Sequence, residues 1–241
     1  MRKYVRYAAM ALLLISVMIT GGCIKDFNCI DGNGNPIIET RTVSTFHEVV
    51  CNGSFEVTVL PGDTYEVVVD AESNIIQYIQ TSVAGGRLYI DTENNRCINN
   101  SIPVIITVYA PEVDGLDLNG SGSIWASGLY VDNLFLNISG SGNIDVNADA
   151  LHIEATISGS GSIDINGVTE TSDLSISGSG NIFAYGLMQD DCQATISGSG
   201  NIYVTVNQVL DGKISGSGNI YYKGNPNVYQ NISGSGRILK Q

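Results

Sequence analysis

The sequence predicts an all-β protein: a right-handed parallel β-helix (β-solenoid) with 18–20-residue rungs and an irregular, wider β region at its N-terminal end. Three observations carry this expectation. Gly-Ser-Gly triplets begin at Gly120, Gly140, Gly159, Gly178, Gly198, Gly216 and Gly234, at intervals of 20, 19, 19, 20, 18 and 18 residues. An isoleucine follows each triplet at a fixed offset: Ile124, Ile144, Ile163, Ile182, Ile202, Ile220 and Ile238. A second apolar column precedes the triplets at Ile138, Ile157, Ile176, Ile196, Ile214 and Ile232, with apolar residues alternating around both columns. A fixed period of this length marks stacked supersecondary units, and period-2 alternation marks strands facing one core.

At the N-terminus, Met1-Arg2-Lys3-Tyr4-Val5-Arg6 precedes an apolar run from Ala8 to Ile19 and then Thr20-Gly21-Gly22-Cys23. This is the order of a secretory signal, so residues 1–22 are read as a signal peptide outside the fold. Gly21-Gly22-Cys23 resembles a bacterial lipobox, which makes Cys23 the lipidation residue; the alternatives are an ordinary cleaved signal with Cys23 incidental, or an uncleaved anchor, for which about a dozen apolar residues are too few to span a bilayer comfortably. The membrane partner is then reached through a lipid anchor, in the cell envelope and at the outer membrane, facing either the surface or the periplasm. Residues 23–38, with Asp31-Gly32-Asn33-Gly34-Asn35-Pro36, read as a lipidated tether.

Residues 39–118 read as the N-terminal β region of the solenoid. Thr40–Cys51, Phe55–Leu60, Tyr65–Asp70, Arg87–Asp91 and Val104–Tyr109 have strand patterns, Pro61-Gly62-Asp63 and Ala84-Gly85-Gly86 read as turns, and Asn74–Gln80 as a short helical turn. Asn52-Gly53-Ser54-Phe55-Glu56-Val57 looks like a degenerate copy of the repeat, so this region reads as the capping start of the solenoid.

Residues 119–241 form the repeat region. One rung buries about four to six apolar side chains at roughly 1.5–3 kcal/mol each, less than the entropy cost of ordering a rung, so neighbours must stack. Strands related by a one-rung translation are parallel, and parallel crossovers are overwhelmingly right-handed. Glycine suits the sharp corners, and the Ser and Asn columns can form ladders between rungs. Calcium-binding solenoid turns place aspartates as ligands, whereas these turns carry Asn or Ser, so no metal is expected. No G-x-G-x-x-G leads from a strand into a helix, and no cofactor is expected.

Together, Thr42-Val43-Ser44, Gly53-Ser54-Phe55-Glu56-Val57, the Pro61-Gly62-Asp63 turn, Gly86-Arg87-Leu88 and the reiterated Ser-Gly-Ser-Gly-Asn-Ile give the chain a family likeness. Over roughly residues 40–240 it resembles the bacterial "putative auto-transporter adhesin" family with a head GIN domain. That resemblance implies a β-helical exported lipoprotein and brings no active-site residues with it.

Removal of residues 1–22 takes away Arg2, Lys3 and Arg6 and leaves 8 basic against 24 acidic residues, a net charge of −16. Nucleic acid is excluded as a partner, because it requires basic clusters. Four cysteines remain in the mature chain, and of their three pairings Cys51 with Cys97 is preferred, with Cys29 unassigned and Cys192 a buried thiol. Only two histidines, His47 and His152, are present, which leaves little material for a catalytic triad, and His152 alternates outward. Asp145 and Asp164 fall in one outward column on adjacent rungs, about 5 Å apart, near the spacing of a retaining glycosidase pair. Stacked carboxylates on a solvated face are the commoner arrangement, so the chain reads as a non-enzyme.

The outward column after the core isoleucine runs Trp125, Asp145, Asp164, Phe183, Tyr203, Tyr221, and Tyr185 widens it. Trp125, Phe183, Tyr185, Tyr203 and Tyr221 are the candidate ligand-binding residues, for a glycan or an envelope or host protein. The function read from these features is a non-catalytic envelope interaction module. The alternatives are a structural spacer or a self-assembling envelope component that associates at the solenoid ends and, more remotely, a polysaccharide-acting enzyme.

Overall fold

The structure is a computed structural model and describes residues 29–241. The signal segment and Cys23 lie outside the described residues. The N-terminal part comprises β1 (Ile30–Asp31), β2 (Pro36–Thr42), β3 (Glu48–Gly53), β4 (Glu56–Pro61), β5 (Glu66–Glu72), β6 (Ile79–Ala84), β7 (Arg87–Thr92), β8 (Ile98–Asn99), β9 (Ile105–Ala110) and β10 (Gly115–Gly120). Five long strands follow, each bending round most of a rung: β11 (Ser123–Gly140), β12 (Asn143–Gly159), β13 (Ser162–Gly178), β14 (Asn181–Gly198) and β15 (Asn201–Gly216). The C-terminal strands are β16 (Asn219–Lys223), β17 (Asn227–Gly234) and β18 (Arg237–Lys240). From β11 onward every pairing is parallel and between neighbouring rungs, so the protein is a parallel β-helix, as the repeat predicts.

Each rung has a first leg after the corner, a second leg past a bend, and a third leg leading to the next corner. On the first leg the register stacks Val57, Ile124, Ile144, Ile163, Ile182, Ile202 and Ile220 in one line. On the third leg it stacks Cys51, Leu118, Ile138, Ile157, Ile176, Ile196 and Ile214. All of these are buried, and each buried isoleucine contributes about 1.5–3 kcal/mol against an exposed one.

The corner is where the sequence has least freedom. The first glycine of each triplet has a φ between +126° and +146°, and a Cβ there would lie 2.2–2.4 Å from the carbonyl oxygen of the glycine one rung before it. The second glycine is blocked in the same way by the preceding corner, as at Gly180, where a Cβ would stand 2.5 Å from the Gly161 oxygen. This close approach lets backbone bonds run through the turn, for instance Ser141 N–H to Gly120 O at 3.0 Å and Asn143 N–H to Gly122 O at 3.1 Å. The asparagine column adds side-chain links, Asn201 donating to Asn181 at 3.1 Å and Asn219 to Asn201 at 3.3 Å. Among the described residues the central serines of the triplets make no such links.

The degenerate copy at Asn52–Val57 occupies a true rung position, since Gly53 registers with Gly120 and Val57 with Ile124. The rungs above it are out of sequence order. Strands β3 and β4 lie beneath β10 and β11 on one side and against β7 and β9 on the other, so residues 87–110 form a rung outside the one made by residues 48–61. Antiparallel strands then finish this end: β5 on β9, β2 on β5, and β6 on β7.

Several sequence expectations are corrected here. The stretch read as one strand, Thr40–Cys51, is two, with β2 ending at Thr42 and β3 beginning at Glu48, because β2 serves the cap and β3 the rung. Strands β6 and β10 fall outside the predicted set, and the helical turn shortens to one 3₁₀ turn at Ile76–Tyr78. Residues 29–38 are no tether, because β1 pairs with β8 and β2 begins at Pro36 on β5. The preferred disulfide is also replaced: Cys29 pairs with Cys97. Cys51 stands in the apolar third-leg column with its thiol pushed up to about 12 by burial, whereas Cys97 lies in an exposed loop. Cys192 is buried, and burial pushes its thiol up to about 12 as well.

Candidate functional site

The aromatic column forms as alternation requires, on the outward side of the first legs. Register places Trp125, Asp145, Asp164, Phe183, Tyr203 and Tyr221 in one line. Phe183 and Tyr203 stack at 5.1 Å and 13°, Tyr203 and Tyr221 at 5.0 Å and 10°, and Tyr185 meets Tyr203 edge-on at 5.6 Å. Trp125 stays apart, separated from Phe183 by the two aspartates. Near-parallel rings one rung apart spend their faces on each other, so the column offers a ligand ring edges and its end faces rather than a flat platform. Lys223 covers another face, its Nζ lying 4.1 Å from the Tyr185 ring centre. Burial, and then the neighbouring Asp164, push the Asp145 carboxyl upward, while Asp164 accepts from Asn166 at 2.8 Å.

A broader feature lies on the second legs, which no sequence motif marks. A groove of about 1180 Å³ runs across the rungs of β11 to β15. Five of the twelve exposed large apolar residues among those described line it: Tyr130, Phe135, Leu151, Val168 and Met188. Six carboxylates line it too, and no lysine or arginine. The chequered sequence pattern on these legs could have signalled it, because exposed Tyr130, Leu151, Val168 and Met188 break the rule that outward positions are polar. The aromatic column is the more visible signal in the sequence because Phe183, Tyr203 and Tyr221 recur at one offset from successive corners.

Neither histidine supports catalysis. His152 is half-buried, with Nδ1 2.7 Å from the Thr171 hydroxyl. His47 Nδ1 lies 2.9 Å from Asp114, and that hydrogen bond raises its pKa. His47, Glu48 and Asp114 bring potential ligand atoms within 4.8 Å of one another. Glu48, however, is engaged by Arg87, which also reaches Asp117 at 3.0 Å, so the trio is spent on ion pairing and we assign no metal to it.

Residues 45–226, three quarters of the chain, match the family described as "Putative auto-transporter adhesin, head GIN domain". The chain belongs to that family. Solved relatives of this head GIN protein share its fold. A "putative adhesin" from Bacteroides fragilis superposes with a TM-score of 0.82 at 23% identity, covering 88% of this chain and 100% of the relative. A "putative adhesin" from Parabacteroides merdae gives 0.73 at 22% identity, covering 89% and 99%. A "Putative lipid binding protein" from Parabacteroides distasonis gives 0.74 at 29% identity, covering 88% and 99%. The chain matches no curated protein. The family is adhesin-like by its description.

Proposed function

We propose that this head GIN protein is a cell-envelope lipoprotein, anchored through Cys23, that acts as a non-catalytic binding module and holds its partner in the second-leg groove. The observation that carries this reading is the concentration of exposed apolar side chains in one groove of a strongly acidic protein. Exposed apolar area of this kind on a soluble surface marks contact sites. The aromatic column of Phe183, Tyr203 and Tyr221 has its ring faces largely occupied, which favours a structural role for it over a sugar platform.

A glycan and envelope-protein binding screen tests the assignment. The variant Tyr130→Ala, Leu151→Ala, Met188→Ala should lose whatever the wild type captures, whereas Phe183→Ala, Tyr203→Ala, Tyr221→Ala should retain it. Unchanged capture by the first variant, with unchanged circular dichroism, refutes the groove. Fatty-acid labelling that tags Cys23→Ala and wild type equally refutes the anchor. A second reading follows from the lipid-binding description of the Parabacteroides distasonis relative, since the apolar lining suits acyl chains. Six carboxylates oppose anionic head groups, so protein or peptide is the favoured partner.

A further inference from the structure

We propose that the groove's ligand is a cationic amphipathic helix, lying along the solenoid axis and seated by one carboxylate and one apolar contact per rung. This rests on the groove being the binding site and goes on to name the chemistry that fits it.

The groove repeats a two-residue device on four successive rungs. On β11 the outward pair is Tyr130 and Asp132, and on β12 the order inverts to Asp149 and Leu151. On β13 it is Val168 and Glu170, and on β14 Met188 and Asp190. Register aligns Tyr130, Asp149, Val168 and Met188 as one column, so their partners two residues on form a second column beside it. The apolar members are all more than half exposed, from 52% at Val168 to 75% at Tyr130. Among the described residues none of the four carboxylates has an ion-pair partner. Asp190 accepts only a 3.2 Å bond from Asn207. The surface is thus complementary in both respects to a chain that carries positive charge and apolar side chains on one face.

Spacing selects the conformation of that chain. Rungs are about 4.8 Å apart, so three intervals cover about 14 Å. An α-helix brings residues back to the same face every 3.5 residues or so, about 5.3 Å, and over three intervals it drifts by only about 1.5 Å. An extended peptide repeats its face every 6.7 Å or so and drifts by about 6 Å, more than one rung. A helix of about ten residues therefore meets all four rungs in register, in the helix-in-groove mode of recognition.

The test uses full-length protein in a neutral detergent, with empty micelles as blank. The probe is a fluorescently labelled leucine–lysine peptide with leucines at every third and fourth position. Wild type should bind it, with a gain of helical circular dichroism and weakening as salt rises. The same peptide with glutamate for lysine should not bind, and a strictly alternating leucine–lysine peptide should bind at least tenfold more weakly. Replacing three groove acids, Asp149→Asn, Glu170→Gln, Asp190→Asn, should weaken binding at least tenfold. Replacing three acids elsewhere, Asp145→Asn, Glu154→Gln, Asp164→Asn, should change it less than twofold and so controls for net charge. Equal losses from the two triple variants, equal binding of the alternating peptide, or preference for phosphatidylglycerol vesicles over the helical peptide would each overturn the proposal. A non-cationic ligand that is lost in the alanine variant of Tyr130, Leu151 and Met188 would overturn the cationic helix while leaving the groove assignment intact.

Discussion

Glu72 is the one charged residue among those described that has no exposed surface. Its carboxylate accepts from the Ser101 hydroxyl at 2.5 Å, the Ser101 N–H at 2.9 Å and the Gly34 N–H at 2.5 Å. The Ser101 hydroxyl bond leads the causes that hold its pKa below the ordinary carboxylate value. A group depressed in the folded state stabilises it above the unfolded pKa, near 4.3, and that contribution is lost as pH falls through the folded value. We expect the melting temperature of wild type to drop on acidification below about pH 4.3 more steeply than that of Glu72→Gln, which starts lower at pH 7 because an amide donor then faces N–H groups. Parallel melting curves for the two proteins between pH 3 and 7 would show that Glu72 does not organise this corner. Apart from Glu72 the fold at this scale depends on glycine: an alanine is excluded at Gly159, where its Cβ would lie 2.2 Å from the Gly140 oxygen, and at Gly34 a φ of +71° disfavours a side chain even though open space surrounds it.

At the scale of elements, β2 is the piece with most to lose. It is an edge strand, its partner is β5 alone, and Ile38 on it is 70% exposed. The Cys29–Cys97 disulfide closes a 68-residue separation just before it and ties the segment back to the loop beside β8. Cross-links of this kind contribute about 2–4 kcal/mol, chiefly by constraining the unfolded chain. Cys29→Ala with Cys97→Ala should lower global stability by about that amount in urea titrations. Hydrogen exchange should accelerate first in residues 30–42 and leave the corner amides of β12 to β15 slow. Uniform acceleration through all rungs would mean that the cap and the solenoid unfold as one unit.

The whole molecule is a column of parallel strands closed differently at its two ends. At the N-terminal end the antiparallel strands β2, β5 and β6 cover the rungs. At the other end β18 pairs only with β16, and β17 only with β15. Tyr229 and Ile232 are exposed there, so this edge invites strand addition, and Arg237 and Lys240 are the charges that oppose it. Lys240 is also held by Asn225 at 2.6 Å. Arg237→Asn with Lys240→Val should produce concentration-dependent oligomers in sedimentation velocity, while wild type stays unchanged over the same range. A double variant that sediments as wild type at every concentration would show that this edge is guarded by other means.

The repeat register, both isoleucine columns and the outward aromatic line were legible in the chain because a rung's neighbours have the same sequence pattern. When register is set by identical corners every 18–20 residues, position along the chain determines position in space. The degenerate rung at Gly53 keeps the corner and registers with Gly120, although 67 residues separate the two. The N-terminal rungs lie outside that rule, because β3 and β4 sit between strands that all come 39 or more residues later in the chain, and nothing local records which distant strand pairs with which. The Cys29–Cys97 bond is a consequence of that non-local packing, which is why the cysteine spacings left three pairings open and the preferred one proved wrong. The groove shows the same division: apolar residues at outward positions hint at it leg by leg, but only the stacking of four second legs turns alternating acids and apolar side chains into a continuous surface. Local periodicity thus determined the solenoid, whereas the cap, the disulfide and the second-leg groove were decided by contacts between residues that the chain alone does not bring together.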